Sequence, residues 1–237
     1  MRKLICFLIV TVFFVTGCSQ KQVEEETKNY VLKINDEEVS VEEFNIYLYE
    51  TSKMFEQLGG ADIWETDFDG KSAEQVAIDN AVSSVIVAKT IKNRAKLRGI
   101  VLDDNRQQDI FEGSALFYSE LDEQTIQKFG ITEELYRNVL LENALYDEVY
   151  DDTVKDFVPN MDGFEVFYEA NRDYIDQLYY ETMGNDKELD EETRRSFGEY
   201  YYRNASMEEY FFNEYKSWES QMTIDKNNEI LNEITIK

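Results

Sequence analysis

Two kinds of residue in this chain could do chemistry: carboxylates and aromatic rings. Asp and Glu number 50 against 24 Lys and Arg, a formal charge of −26, and histidine is absent. Without imidazole, Ser-His-Asp and Cys-His nucleophile systems are excluded, as is any metal site built on histidine. The charge argues against a nucleic-acid partner, whose phosphates need clustered cations. Among so many acids, paired carboxylates arise by composition alone, so their spacing carries no sign of general acid–base work. Runs such as Asp186–Glu192 read as solvated faces or helix starts. Neither a G-x-S-x-G elbow nor an S-x-x-K pattern is present. One loop is more ordered: Glu65, Asp67 and Asp69 alternate as calcium ligands do. An EF-hand begun at Glu65 would need a bidentate Glu at its twelfth position, where Val76 stands. A solvated turn capping the next helix accounts for the same residues. The composition points to no cofactor and to no enzyme.

The rings are concentrated. Between Phe164 and Trp218 there are 15 Phe, Tyr and Trp in 55 residues, many of them Tyr. Such side chains are apolar in body and polar at the tip, and they favour recognition surfaces. Two readings stand: the rings form the core of a second helical lobe, or several line an exposed cleft for apolar stretches of another chain. The candidates for such a cleft, some of which must be core, are Tyr47, Phe55, Trp64, Phe117, Tyr118, Tyr168, Tyr179, Tyr201, Phe211 and Trp218.

The N-terminus gives a location. Arg2 and Lys3 precede an apolar stretch from Leu4 to Val15. A spanning helix needs about 20 residues, so this stretch fits the apolar region of a secretory signal over 1–17. It ends in Val15-Thr16-Gly17-Cys18, which resembles the bacterial lipobox, in which the Cys is lipidated (palmitate-type acylation) and becomes residue one. Cys6 would leave with the signal, so Cys18 would be the sole cysteine of the mature chain, and no disulfide framework is available. Loss of Arg2 and Lys3 leaves 22 cations against 50 anions, −28, which an anionic lipid surface repels. The expected state is a body standing off the extracytoplasmic face of the cell membrane, held by the lipid and by a polar tether over 18–29.

These residues must be positioned by helices. A short strand at Tyr30–Ile34 turns at Asn35-Asp36 and returns at Glu38-Val39. Ser40 and Glu43 form a capping box before a helix that stops at Gly59-Gly60, and Ser72-Ala73-Glu74-Gln75 forms a second. The following helix, to Gly99, carries Ala77, Ala81, Val85 and Ala88 on one stripe. Val82, Ile86 and Ile91 widen that stripe, so the helix is buried on more than one side. Further helices run from Asp104 to about Glu120, to Gly130, and onward from Thr132. Pro159 and Gly163 mark a break, followed by helical stretches over roughly 164–181, 189–203 and 206–219. Met222–Ile224 and Ile230–Ile236 read as edge strands or as a last short helix and strand. The fold class is mainly α with a small β element.

The order of these joints resembles the SurA/PrsA-like chaperones and foldases. The opening VLKINDEEVS, running into VEEFNIYLYE, resembles the start of those proteins. Asp62-Ile63-Trp64 with Asp69-Gly70-Lys71-Ser72, then Gly99–Asp104, then Phe129–Glu134 resemble their successive joints, and Trp218 with Ile224–Asn232 resembles their closing segment. The resemblance covers 30–158 and about 215–237. It implies a SurA N-terminal-like helical domain over 30–158 and a C-terminal lobe over 159–237, with strands from both ends of the chain meeting in one sheet. A parvulin isomerase is commonly inserted between the helical halves of such proteins. Here Leu178-Tyr179-Tyr180-Glu181 stands where its A-x-H-I-L strand would fall, and the stretch is too short for it. What the resemblance implies is a non-catalytic, membrane-anchored holdase for unfolded or partly folded exported proteins. The alternative is a lipoprotein serving as binding or assembly subunit for one dedicated partner.

Overall fold

The computed structural model describes residues 29–184 and 189–236. The chain opens with a hairpin, β1 (Leu32–Ile34) and β2 (Glu37–Val39), paired antiparallel with Leu32 opposite Val39. Asn35 sits in the turn at φ 53, a left-handed conformation that Asn tolerates better than most residues. Helix α1 (Val41–Gly59) follows, then a 3-10 turn (Ala61–Glu65) and a two-residue hairpin, β3 (Asp67–Phe68) and β4 (Lys71–Ser72). The long α2 (Ala73–Arg98) leads to α3 (Asp104–Glu120), α4 (Glu123–Phe129) and α5 (Glu133–Val154). After Pro159 come α6 (Phe164–Ala170), α7 (Arg172–Met183) and α8 (Glu191–Glu219), then β5 (Ile224–Lys226) and α9 (Asn228–Glu233).

The fold is mainly α, as expected, and the two ends of the chain do meet. β1 lies between β2 and β5, with Leu32 opposite Lys226. Asn35 fastens the hairpin to the returning segment: its N–H donates to Thr223 O at 2.7 Å, and its side-chain oxygen accepts from Thr223 N at 2.9 Å. The helix starts follow their caps. Ser40, Ser72, Asp103, Asp122, Thr132 and Asp190 each accept a backbone N–H three residues ahead. Gly99 and Gly130 end α2 and α4 in the left-handed conformation that glycine adopts without a Cβ penalty.

The described helices after Pro159 depart from the expected 164–181, 189–203 and 206–219. The first stretch divides at Asn171, whose side-chain amide donates to Phe167 O and so ends α6. No break occurs at 203–206: α8 runs through it for 29 residues. The Ser206 hydroxyl donates to Tyr202 O, so the polar side chain rides on the helix instead of competing with it. Arg203 and Glu199 pair across one turn. At about 1.5 Å per residue, α8 reaches roughly 43 Å. Its N-terminal half packs on α6 and α7, where Gly198 brings the backbone against Tyr168 and Ile175. Its C-terminal half packs on α2 and α5 through Phe211, Tyr215 and Trp218. The segments on either side of residue 158 therefore share this core and the sheet.

At the centre is a buried ion cluster. Lys89, 3% exposed on α2, places Nζ 2.7 Å from Glu37, 2.6 Å from Glu43 and 2.6 Å from Glu142, thereby tying β2, α1 and α5 to α2. Lys92 bridges Glu37 and Glu142 beside it. The capping box at Ser40 is consequently half made: Ser40 accepts from Glu43 N, while the Glu43 carboxylate turns to Lys89.

Removing one partner of a buried ion group leaves uncompensated charge, which costs about 3–5 kcal/mol. Lys89→Ala should lower the unfolding free energy by that amount in urea denaturation, whereas Lys33→Ala, which breaks the exposed pair with Glu38, should leave the midpoint unchanged. Two of the three acids facing Lys89 should titrate in opposite directions. Burial pushes Glu43 above the ordinary glutamate range, only partly offset by its hydrogen bond from Lys89. Burial also pushes Glu37 up, but hydrogen bonds from Lys89 and Lys92 outweigh it and hold that carboxyl low. Stability from Glu37 is thus present above the unfolded glutamate pKa and lost as pH falls through its lowered folded value. Glu43 opposes it, its contribution falling as pH rises from the unfolded value through its raised folded value. Carboxyl-carbon NMR should resolve Glu43 above, and Glu37 below, the ordinary range.

Candidate binding groove

Helices α1, α2 and α5 do not close completely. Between them lies a groove of 460 Å³ whose apolar walls include Ile46, Tyr47, Val87, Ile91, Val139 and Leu140. The opening is left by small residues on α2, since Ser83, Ser84 and Ala88 stand where larger side chains would fill the crossing. Past Val87 and Tyr146 the groove continues into a depression of 810 Å³ against α8, formed by Tyr150, Phe211, Phe212 and Tyr215. Tyr146 and Tyr150, four residues apart on α5, both pack on Phe211, at ring-centroid distances of 5.3 and 5.0 Å. Phe212, 55% exposed, is the open edge.

Three phenols are among the polar groups along this groove. The Tyr47 hydroxyl is buried and has no hydrogen-bond partner among the described residues, and burial pushes its ionisation well up. Tyr136 donates to Glu50 at 2.8 Å. Burial, then the neighbouring Glu219 carboxylate, push Tyr215 up to about 12. All three are neutral phenols at physiological pH, able to donate a hydrogen bond but not to act as bases.

The sequence-derived candidates are scattered by the fold. Tyr47 and Phe211 line the groove. Trp218 lies beneath Phe211, its ring covered by the Arg94 guanidinium at 4.6 Å. Phe55 and Trp64 stack on each other at 5.8 Å beside the β3–β4 hairpin. Phe117 stacks on Tyr136 at 4.1 Å, and Tyr118, also on α3, packs partly buried against the main core. Tyr168 and Tyr179 are interior residues of the α6–α7–α8 lobe, and Tyr201 is half-buried there against Phe167 and Tyr174. Tyr146, Tyr150, Phe212 and Tyr215 were missed by sequence reasoning. The four-residue spacing of Tyr146 and Tyr150 was the available signal.

The acidic loop closes as a hairpin. Asp67 and Phe68 pair with Ser72 and Lys71 across a turn in which Asp69 and Gly70 both have positive φ, the geometry of a tight hairpin. Asp67 accepts from Gly70 N at 2.7 Å and so serves the turn. Among the described residues no group of three or more His, Cys, Asp or Glu is arranged to hold a metal ion, Glu65, Asp67 and Asp69 included. Cys18, the signal at 1–17, the tether up to residue 28 and residues 186–188 of the acidic run lie outside the described residues. No described helix is long and apolar enough to cross a membrane.

The described residues thus form a helical body closed by a small sheet, with an open apolar groove between α1, α2 and α5. Residues 1–130 match the SurA-like N-terminal domain, more than half of the chain, and the protein belongs to that family. Foldase protein PrsA of Caldanaerobacter subterraneus subsp. tengcongensis is 23% identical over 174 residues, covering 70% of this chain and 55% of the relative. The chain spans about half the length of that curated relative. No parvulin domain is evident in the 237 residues, and the stretch after Gly163 forms α6 and α7 instead. No solved structure matches the chain.

Core and groove residues should separate by stability. Phe211→Ala should cost about 3–5 kcal/mol and Phe212→Ala less than about 0.5 kcal/mol, read by urea denaturation. Tyr47→Phe, which removes an unpartnered buried hydroxyl, should be neutral or stabilising within about 1 kcal/mol.

Proposed function

We propose that the protein is a non-catalytic chaperone of the holdase type, anchored by a lipid on Cys18 at the extracytoplasmic face of the cell membrane and acting on unfolded or partly folded exported chains. The observation that carries this reading is the apolar groove, open to solvent and continuous from α1 to α8. An unfolded client would bury apolar side chains against Val87, Leu140, Tyr146 and Phe212 and leave when its own core forms. No covalent step or nucleotide is needed, since area removed from water at about 25 cal/mol per Å² suffices for transient capture. Family membership and the partial likeness to a foldase support the class of activity. The acidic surface keeps a loaded complex soluble through like-charge repulsion.

Three measurements test this reading. Near-stoichiometric protein should slow aggregation of an unfolded client, and Tyr146→Ser with Phe212→Ser should abolish that effect while the melting temperature stays within a few degrees. Failure of the native protein to protect any client would overturn the proposal. Proline-peptide isomerisation should run at the uncatalysed rate. Cys18→Ser should move the protein from the membrane fraction to the soluble one.

A further inference from the structure

The groove is apolar along its floor and mainly acidic along its rim. Glu50, Glu142, Asp147, Glu208 and Glu209 line it, while the Lys216 ammonium, paired with Glu219, lies over the Phe212 and Tyr215 rings at 5.5 and 5.3 Å. Three of the five are engaged: Glu50 by the Tyr136 hydroxyl, Glu142 by Lys89 and Lys92, and Asp147 by Arg106 at 3.2 Å. Glu208 and Glu209, both exposed on α8, have no ion-pair partner among the described residues. They stand beside Tyr146, Tyr150 and Phe212, and the Glu208 charge adds to burial in raising both tyrosines. At the other end, the Tyr47 hydroxyl is buried beneath the apolar floor, out of reach of an incoming chain.

We infer that the groove selects client segments by charge as well as apolarity, taking a run of aromatic and aliphatic side chains flanked by Lys or Arg, with the cations seated at Glu208 and Glu209. This rests on the holdase reading and deepens it. An apolar segment alone satisfies the floor but leaves the α8 rim uncompensated. A segment with acidic flanks brings like charge against that rim and is repelled. A flanking Lys or Arg lays its methylene stem along Tyr146 and Tyr150 while its head meets the carboxylates, matching both surfaces at once. The occupant is thus specified in chemistry and not in sequence.

Three labelled peptides with one Phe/Leu core and Lys, Ser or Glu flanks provide the test, by fluorescence anisotropy against the purified full-length chain. Affinity should fall in the order Lys, Ser, Glu. The Lys peptide should bind roughly three- to tenfold tighter than the Ser peptide at low ionic strength, with the gap narrowing at about 0.15 M salt. Glu208→Gln with Glu209→Gln should erase the gap while leaving Ser-peptide affinity intact. Glu229→Gln with Glu233→Gln, the same charge change on α9 outside the groove, should leave the gap in place. Equal binding of Lys and Ser peptides overturns charge selection and spares the holdase reading. A Lys preference that survives Glu208→Gln with Glu209→Gln overturns the assignment to this rim. If no peptide binds, both readings fall.

Discussion

Lys89 sits where β2, α1 and α5 converge on α2, its ammonium surrounded by three carboxylates and almost sealed from water. A lone charge at such depth would be prohibitively desolvated, so the cluster forms only when all of its partners arrive together. That requirement sets where the neighbouring elements cross. Glu43 sits in the first turn of α1, Glu142 near the middle of α5, and Glu37 at the start of β2. Fixing these points on one side chain leaves little freedom in how the helices lie on α2. Two lysines and three acids leave one negative charge over, and the raised Glu43 carboxyl is where that excess is felt.

The groove follows from the same geometry. Glu142 belongs to both structures, bound to Lys89 and Lys92 on one side and facing the opening on the other. With α5 held there, closing the remaining space would require bulky side chains on α2, which instead carries Ser83, Ser84 and Ala88. The far wall comes from much later in the chain. β5 must add to the exposed edge of β1, and to reach it α8 is laid across α2 and α5, bringing Phe211 and Phe212 beside Tyr146. The sheet is small, yet it is what returns the C-terminal segment to the body and makes the opening an extended groove.

Local signals were legible in the sequence because they are local. Ser40, Ser72, Asp103 and Thr132 satisfy orphan N–H groups within one turn, and Gly99 and Gly130 answer a backbone need at a single position. The joints between helices could therefore be located, as could the pairing of the two chain ends through the family resemblance. Side-chain destinations were less legible. Glu43 reads as half of a capping box because Ser40 lies three residues before it, and nothing nearby announces a lysine 46 positions later. Lys89 itself is lost among the cations that close α2. Ring density pointed to 164–218, but density does not distinguish Tyr168, interior to a lobe, from Phe212, open to water. Helical periodicity says that a face is covered; which element covers it is a long-range fact.

The acid excess has two physical consequences. Over most of the surface it is diffuse, screened within about 8 Å at physiological salt, and acts as a solubilising field. Along the groove it is focused, because the carboxylates border a low-dielectric wall of rings and Glu208 and Glu209 are in no ion pair among the described residues. An open apolar groove is ordinarily an aggregation hazard, inviting a second copy of the same chain to cover it. Here a second copy would bring its own acidic rim against the first, and the repulsion between them opposes that encounter. A chain with opposite flanking charge meets no such barrier. The same carboxylates thereby set a barrier against a second copy of this chain at the groove that a chain of opposite charge would not meet.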